Sequence, residues 1–161
     1  GLDETEFLLP SKFSIGAGVG QPRIWFIGAE YNFQNTSKFV NELNGSNGTV
    51  YTNGSSISLG GFIIPKFNSF SSYFKRMVYR AGMRYEDTGL NINNTNINEF
   101  GISFGVGLPI GSARDFFSNA NLGFEIGKRG TTKNNLIQEN FFKFHLSLSL
   151  NDRWFQKRRY D

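Results

Sequence analysis

The feature that most restricts the fold of this chain is a strict two-residue alternation near its C-terminus. Phe142, Phe144, Leu146, Leu148 and Leu150 fall on one phase, and Lys143, His145, Ser147, Ser149 and Asn151 on the other. An extended chain sends alternate side chains to opposite faces, whereas a helix would scatter both sets around its circumference. The stretch over about 137–155 is therefore a strand with one greasy and one polar face. Two environments accept such a strand. In a soluble sandwich the greasy face points into the core. In a transmembrane β-barrel it points out to lipid and the polar face lines a lumen. Trp154 keeps the apolar phase, where an aromatic can anchor among lipid headgroups, and the basic run Lys157, Arg158, Arg159 follows it.

The same alternation recurs along the chain and predicts seven strands, at about 12–20, 24–34, 54–64, 77–91, 96–108, 120–129 and 137–155. Tight turns are expected at Gln21-Pro22-Arg23 and Asn93-Asn94-Thr95, and a long polar loop over 35–53. A short helix is expected within 66–76, capped by Asn68 or Ser69, with Phe70, Tyr73 and Phe74 at helical spacing. Most of these strands reach the length that a tilted strand needs to cross a bilayer, while strands of soluble domains are more often about 5–6 residues. The polar phases carry Arg80, Arg84, Glu86, Glu99, Glu125 and Arg129. A protein core cannot hold these unpaired, but a wet lumen can. The expected fold class is all-β, an antiparallel transmembrane β-barrel with about seven strands in this chain.

Seven is odd, and bacterial single-chain barrels have even strand counts with short periplasmic turns. The expectation is that residues 1–161 form the C-terminal part of one outer-membrane barrel domain, with an odd number of strands elsewhere; the alternative is an irregular eighth strand from Gly1 to Leu9 in a small closed barrel, which Asp3, Glu4 and Glu6 disfavour. The C-terminus is then periplasmic, and 156–161 form a periplasmic basic tail.

Composition narrows the function. The chain has no cysteine, which removes disulfides and thiolate metal sites. A net charge of +4 with scattered basic residues gives no nucleic-acid footprint. No apolar run approaches the roughly 18 residues of a membrane helix, and the N-terminal stretch has no signal-peptide pattern. Neither a nucleophile elbow nor a phosphate-binding loop is present, and His145 is the single histidine, so no enzymatic chemistry, metal or cofactor is expected. Candidate lumen-facing residues are Glu30, Asn32, Arg80, Arg84, Glu86, Glu99, Glu125, Arg129, Lys143 and His145, with the carboxylates expected to pair with Arg80, Arg84 and Arg129 across neighbouring strands. Phe26, Phe62 and Phe141 share the inner phase and are candidate contacts for a hydrophobic ligand.

Several segments resemble the FadL-like outer-membrane transporters of hydrophobic compounds. They are Leu9-Pro10-Ser11-Lys12-Phe13-Ser14-Ile15-Gly16, then a Pro turn and Ile24-Trp25-Phe26-Ile27-Gly28-Ala29-Glu30-Tyr31. Tyr79-Arg80-Ala81-Gly82-Met83-Arg84-Tyr85, the run Glu99 to Pro109, and the closing Leu148-Ser149-Leu150-Asn151-Asp152-Arg153-Trp154-Phe155 continue in the same order. The resemblance implies the C-terminal half of a plugged barrel of about 14 strands, an even count. It implies passive uptake of hydrophobic molecules such as long-chain fatty acids across the outer membrane of a Gram-negative bacterium. The partners are then membrane lipid, a hydrophobic small molecule and neighbouring envelope proteins. Two alternatives stand beside it: a structural barrel subunit of a larger outer-membrane complex without transport of its own, and a soluble lipid-binding barrel with its apolar face inward.

Overall fold

The computed structural model describes residues 11–35, 49–110 and 118–149. These form one antiparallel sheet. Its strands are β1 (Lys12–Gln21), β2 (Trp25–Gln34), β3 (Thr49–Tyr51), β4 (Gly54–Ile63), β5 (Val78–Ile92), β6 (Thr95–Ile110), β7 (Ser118–Gly130) and β8 (Gln138–Ser149). The order across the sheet is β1-β2-β4-β5-β6-β7-β8, with β3 beside the far end of β5. The sheet is open: β1 and β8 are its two edges and do not pair with each other. The part of the last predicted strand beyond 149, including Trp154, Phe155 and the basic tail, lies outside the described residues.

The turns follow from local backbone chemistry. Between β1 and β2, Pro22 fixes φ, Arg23 takes a positive φ of 62°, and the Ile24 amide donates to the Gln21 carbonyl at 3.1 Å. Between β5 and β6, Asn93 and Asn94 both have positive φ, 51° and 59°, the geometry whose twist matches a two-residue hairpin. Asn134 donates to the Asn93 carbonyl and to Thr95 Oγ1, tying the β7–β8 connection to that turn. This end of the sheet is the loop end; the Pro22 turn marks the opposite, turn end.

Two local expectations are corrected. The segment 66–76 is not an α-helix: only a 3₁₀ turn forms, at Phe74–Arg76. Ser69 does accept a hydrogen bond from the Ser72 amide, but tertiary ties then take over. The Lys66 amide reaches the Lys75 carbonyl, and Tyr73 Oη the Pro109 carbonyl, so the segment loops back before a second helical turn. Within the predicted 35–53 loop, Thr49–Tyr51 form the short strand β3. A bulge makes this possible. The register of β5 shifts between Asp87 and Asn91, Gly89 has φ 69°, and Asp87 Oδ1 accepts the Gly89 amide. Below the bulge β5 pairs with β4; above it β5 pairs with β3.

Hydrophobic burial does not hold this sheet together in the ordinary way. Among the described residues the buried apolar side chains are Ile64, Met77 and Ala120. Phe142, Phe104 and Ile126 are 64%, 56% and 52% exposed. A continuous apolar face of this kind is not stable against water and requires another apolar phase to cover it.

Candidate functional site

The register aligns the polar phases of all strands into rows on one face. One row runs Ser14, Asn32, Ser56, Glu86, Glu99, Arg129, Glu139 from β1 to β8. The next runs Gly16, Glu30, Ser58, Arg84, Gly101, Gly127, Phe141. The third is Gly18, Gly28, Gly60, Gly82, Ser103, Glu125, Lys143, and the fourth Gly20, Phe26, Phe62, Arg80, Gly105, Gly123, His145. Glycines leave the floor of this face low, and a trough of about 760 Å³ opens over them, bordered by Phe26, Arg80 and Arg84.

An ion network occupies the loop-end half of the trough. Arg84 sits at its centre. Its guanidinium donates to Glu86 at 2.9 Å, to Glu125 at 2.8 and 3.1 Å, and to Glu99. Arg129 Nε donates to the other oxygen of Glu99, and Lys143 Nζ stands 3.8 Å from Glu125. Glu99 is 2% exposed, so both its oxygens are held by cations and it has almost no water. Three cations face three carboxylates. A low-dielectric wall tolerates such a cluster because each buried charge has a hydrogen-bonded counter-charge.

The remaining predicted residues fall in separate places. Glu30 accepts from Asn32 Nδ2 at 2.7 Å, and Asn32 also joins Ser14 and Ser56. Arg80 donates to Asn121 at 2.9 Å rather than to a carboxylate. His145 is exposed on β8 opposite Gly123, away from the network. Phe26 and Phe62 stack with centroids 6.0 Å apart, but Phe141 lies across the sheet on edge strand β8, under Lys143 Nζ at 4.5 Å. The three phenylalanines do not form one ligand contact.

The opposite face carries the organisation that sequence reasoning missed. Its two middle rows contain Ala29, Leu59, Met83, Ile102, Ile126, Phe142 and Ile27, Ala81, Phe104, Phe124, Phe144, with no charge. The row on the turn-end side aligns Trp25, Ile63 and Tyr79; the row on the loop-end side aligns Tyr31, Ile57, Tyr85 and Phe100. Over β2 to β5, Trp25 and Tyr79 on one side and Tyr31 and Tyr85 on the other thus border an uncharged apolar band, and across β6 to β8 the same rows continue as Val106, Leu122 and Leu146 and as Phe100 and Lys128. The phase of each residue was visible in the sequence, but only the register puts Trp25 and Tyr79 in one row, on either side of Ile63, and Tyr31 and Tyr85 in another, on either side of Ile57.

A one-sheet, antiparallel, all-β protein with one exposed apolar face and one face of charges and glycines is the class that this geometry defines. The chain matches the model of the BamG family over residues 1–161 and belongs to that family. No curated protein and no solved structure matches it. Membership associates the chain with the outer membrane of Gram-negative bacteria and with neighbouring envelope proteins. It overturns the FadL-like assignment, and with it the uptake of fatty acids or other hydrophobic molecules. The physical reason is that short amphipathic strand motifs follow from the two-residue period itself. Any sheet with a greasy and a wet face reproduces them in similar order.

Proposed function

We propose that this chain is a structural component of the outer-membrane assembly machinery, the BAM complex, with its apolar face in lipid and its charged trough facing inward, and with no transport or enzymatic chemistry of its own. Membership of the BamG family supports the association with that complex. The observation that carries the membrane reading is the exposed apolar band with aromatic margins on both sides. Its height fits. From Phe100 to Leu108, β6 spans about 27 Å of strand, or about 20 Å along the membrane normal at a tilt near 45°.

The trough supports the same orientation. The Arg84–Glu99–Arg129 network is the content of a barrel wall, because lipid would not hydrate its partly exposed guanidinium groups. Gentle detergent extraction of the tagged protein tests the proposal. It is expected to migrate as part of a large complex containing the assembly machinery, and its depletion should lower the levels of other outer-membrane barrels. Migration as a lone monomer, with those levels unchanged, would contradict it.

A further inference from the structure

The segment between β4 and β5 crosses the turn end of the sheet and is held there by side-chain and backbone ties. Tyr79 Oη donates to the Phe74 carbonyl at 3.1 Å, Tyr73 Oη to the Pro109 carbonyl at 3.0 Å, and Met77 and Ser69 are buried. This anchoring leaves Phe70 94% and Phe74 70% exposed. Both are far more exposed than a structural phenylalanine requires, and the bond from Tyr79 sets Phe74 at the margin formed by Trp25 and Tyr79. The surroundings are basic. The stretch from 65 to 77 contains Lys66, Lys75 and Arg76 and neither Asp nor Glu. Arg23, from the β1–β2 turn, lies over the Phe67 ring at 5.0 Å, and Arg76 over the Tyr73 ring at 5.4 Å. Among the described residues none of these four cations is in an ion pair.

We propose that this strap is an interfacial anchor that inserts Phe70 and Phe74 at the acyl boundary and binds the phosphates of anionic phospholipids through Lys66, Lys75, Arg76 and Arg23. Aromatic and basic side chains together are the composition of a membrane–water interface, and the strap continues the apolar face at the depth where headgroups lie. The inference rests on the reading that the apolar face lies in lipid. An acidic protein surface would satisfy the charges, but it would not use the exposed rings of Phe70 and Phe74 or the tie of Phe74 to the aromatic margin.

The chain has no cysteine, so single-cysteine nitroxide labels can be placed without background. The full chain in phosphatidylcholine vesicles with or without phosphatidylglycerol is labelled at Phe70→Cys, Phe74→Cys or Ile102→Cys, and relaxation by oxygen and by a nickel chelate is compared. Labels at 70 and 74 are expected at headgroup-to-acyl depth, and the label at 102 deep in the bilayer. Spin-labelled phosphatidylglycerol should be immobilised preferentially over phosphatidylcholine, and Lys66→Gln or Lys75→Gln should each lower that preference by about fivefold. A label at 102 in lipid with 70 and 74 in water would overturn the anchor alone. An unchanged lipid preference in both glutamine variants would overturn the phosphate contact. Water exposure at 102 would instead overturn the membrane reading beneath it.

Discussion

Among the described residues Arg84 bonds three carboxylates and Glu99 two cations, and the two are bonded to each other. Removing Arg84 leaves Glu86, Glu99 and Glu125 facing one another, whereas removing Arg129 leaves Glu99 still bonded to Arg84. Arg84→Ala is therefore expected to destabilise the protein by about 3 kcal/mol and Arg129→Ala by about 1 kcal/mol, read from urea unfolding in detergent. Glu99→Gln, which keeps the shape but removes the charge, should cost about 2 kcal/mol. Equal losses for the two arginines would show that the network is not centred on Arg84. The charges of this cluster were legible in the sequence, since Arg84, Glu86, Glu99, Glu125, Arg129 and Lys143 all fall on polar phases. Their pairing was legible in part: Arg84 and Arg129 meet carboxylates as expected, while Arg80 does not. Arg84 and Gly101 share a row, yet the Arg84 guanidinium reaches Glu99 and Glu125, two residues along β6 and two strands across. Arg80 looked equivalent to Arg84 and instead meets Asn121, because Phe62 and Gly105 flank it and no carboxylate lies within its row.

At the scale of elements, alternation located seven strands to within a few residues, the end of the last one beyond 149 lying outside the described residues, because a two-faced strand of ten residues or more has no other regular way to separate Phe104 from Ser103. It failed where tertiary contacts decide. β3 is three residues long inside an Asn/Gly/Ser/Thr run and exists because the β5 bulge frees an edge for it. The 66–76 aromatics looked helical and became a strap. The glycines of the polar face differ in what they tolerate. A Cβ at Gly123 would rest 3.5 Å from His145 Cβ, in ordinary contact, while one at Gly127 would collide with the Phe100 carbonyl and the Phe141 ring. Gly123→Ala is expected to change stability by less than about 0.5 kcal/mol and Gly127→Ala to lower it by about 2 kcal/mol, with thermal unfolding followed by circular dichroism as the measurement. The opposite ranking would mean that β6, β7 and β8 are not packed in this register.

At the scale of the whole molecule the sheet has two unfinished edges. Seven strands in an antiparallel path make β1 and β8 run in the same direction, so they cannot join antiparallel. The β1 edge carries few of the usual deterrents to pairing, with no proline, no bulge and only Lys12 as a charge, whereas β8 carries Glu139 and Lys143. Inside a bilayer unpaired backbone groups are costly, so edges of this kind are suited to joining other strands. A disulfide between Ala17→Cys and Leu146→Cys is therefore expected not to form within one chain under mild oxidation; quantitative closure would show that the sheet seals on itself. The direction in which the two faces point is the central claim. Nitroxide accessibility scanned along β6 from residue 99 to 107 in vesicles measures it most directly. Labels at 100, 102, 104 and 106 should be reached by oxygen from the lipid, and labels at 101, 103 and 105 by the water-soluble nickel chelate. The reverse phase, or water access at every position, would contradict the account.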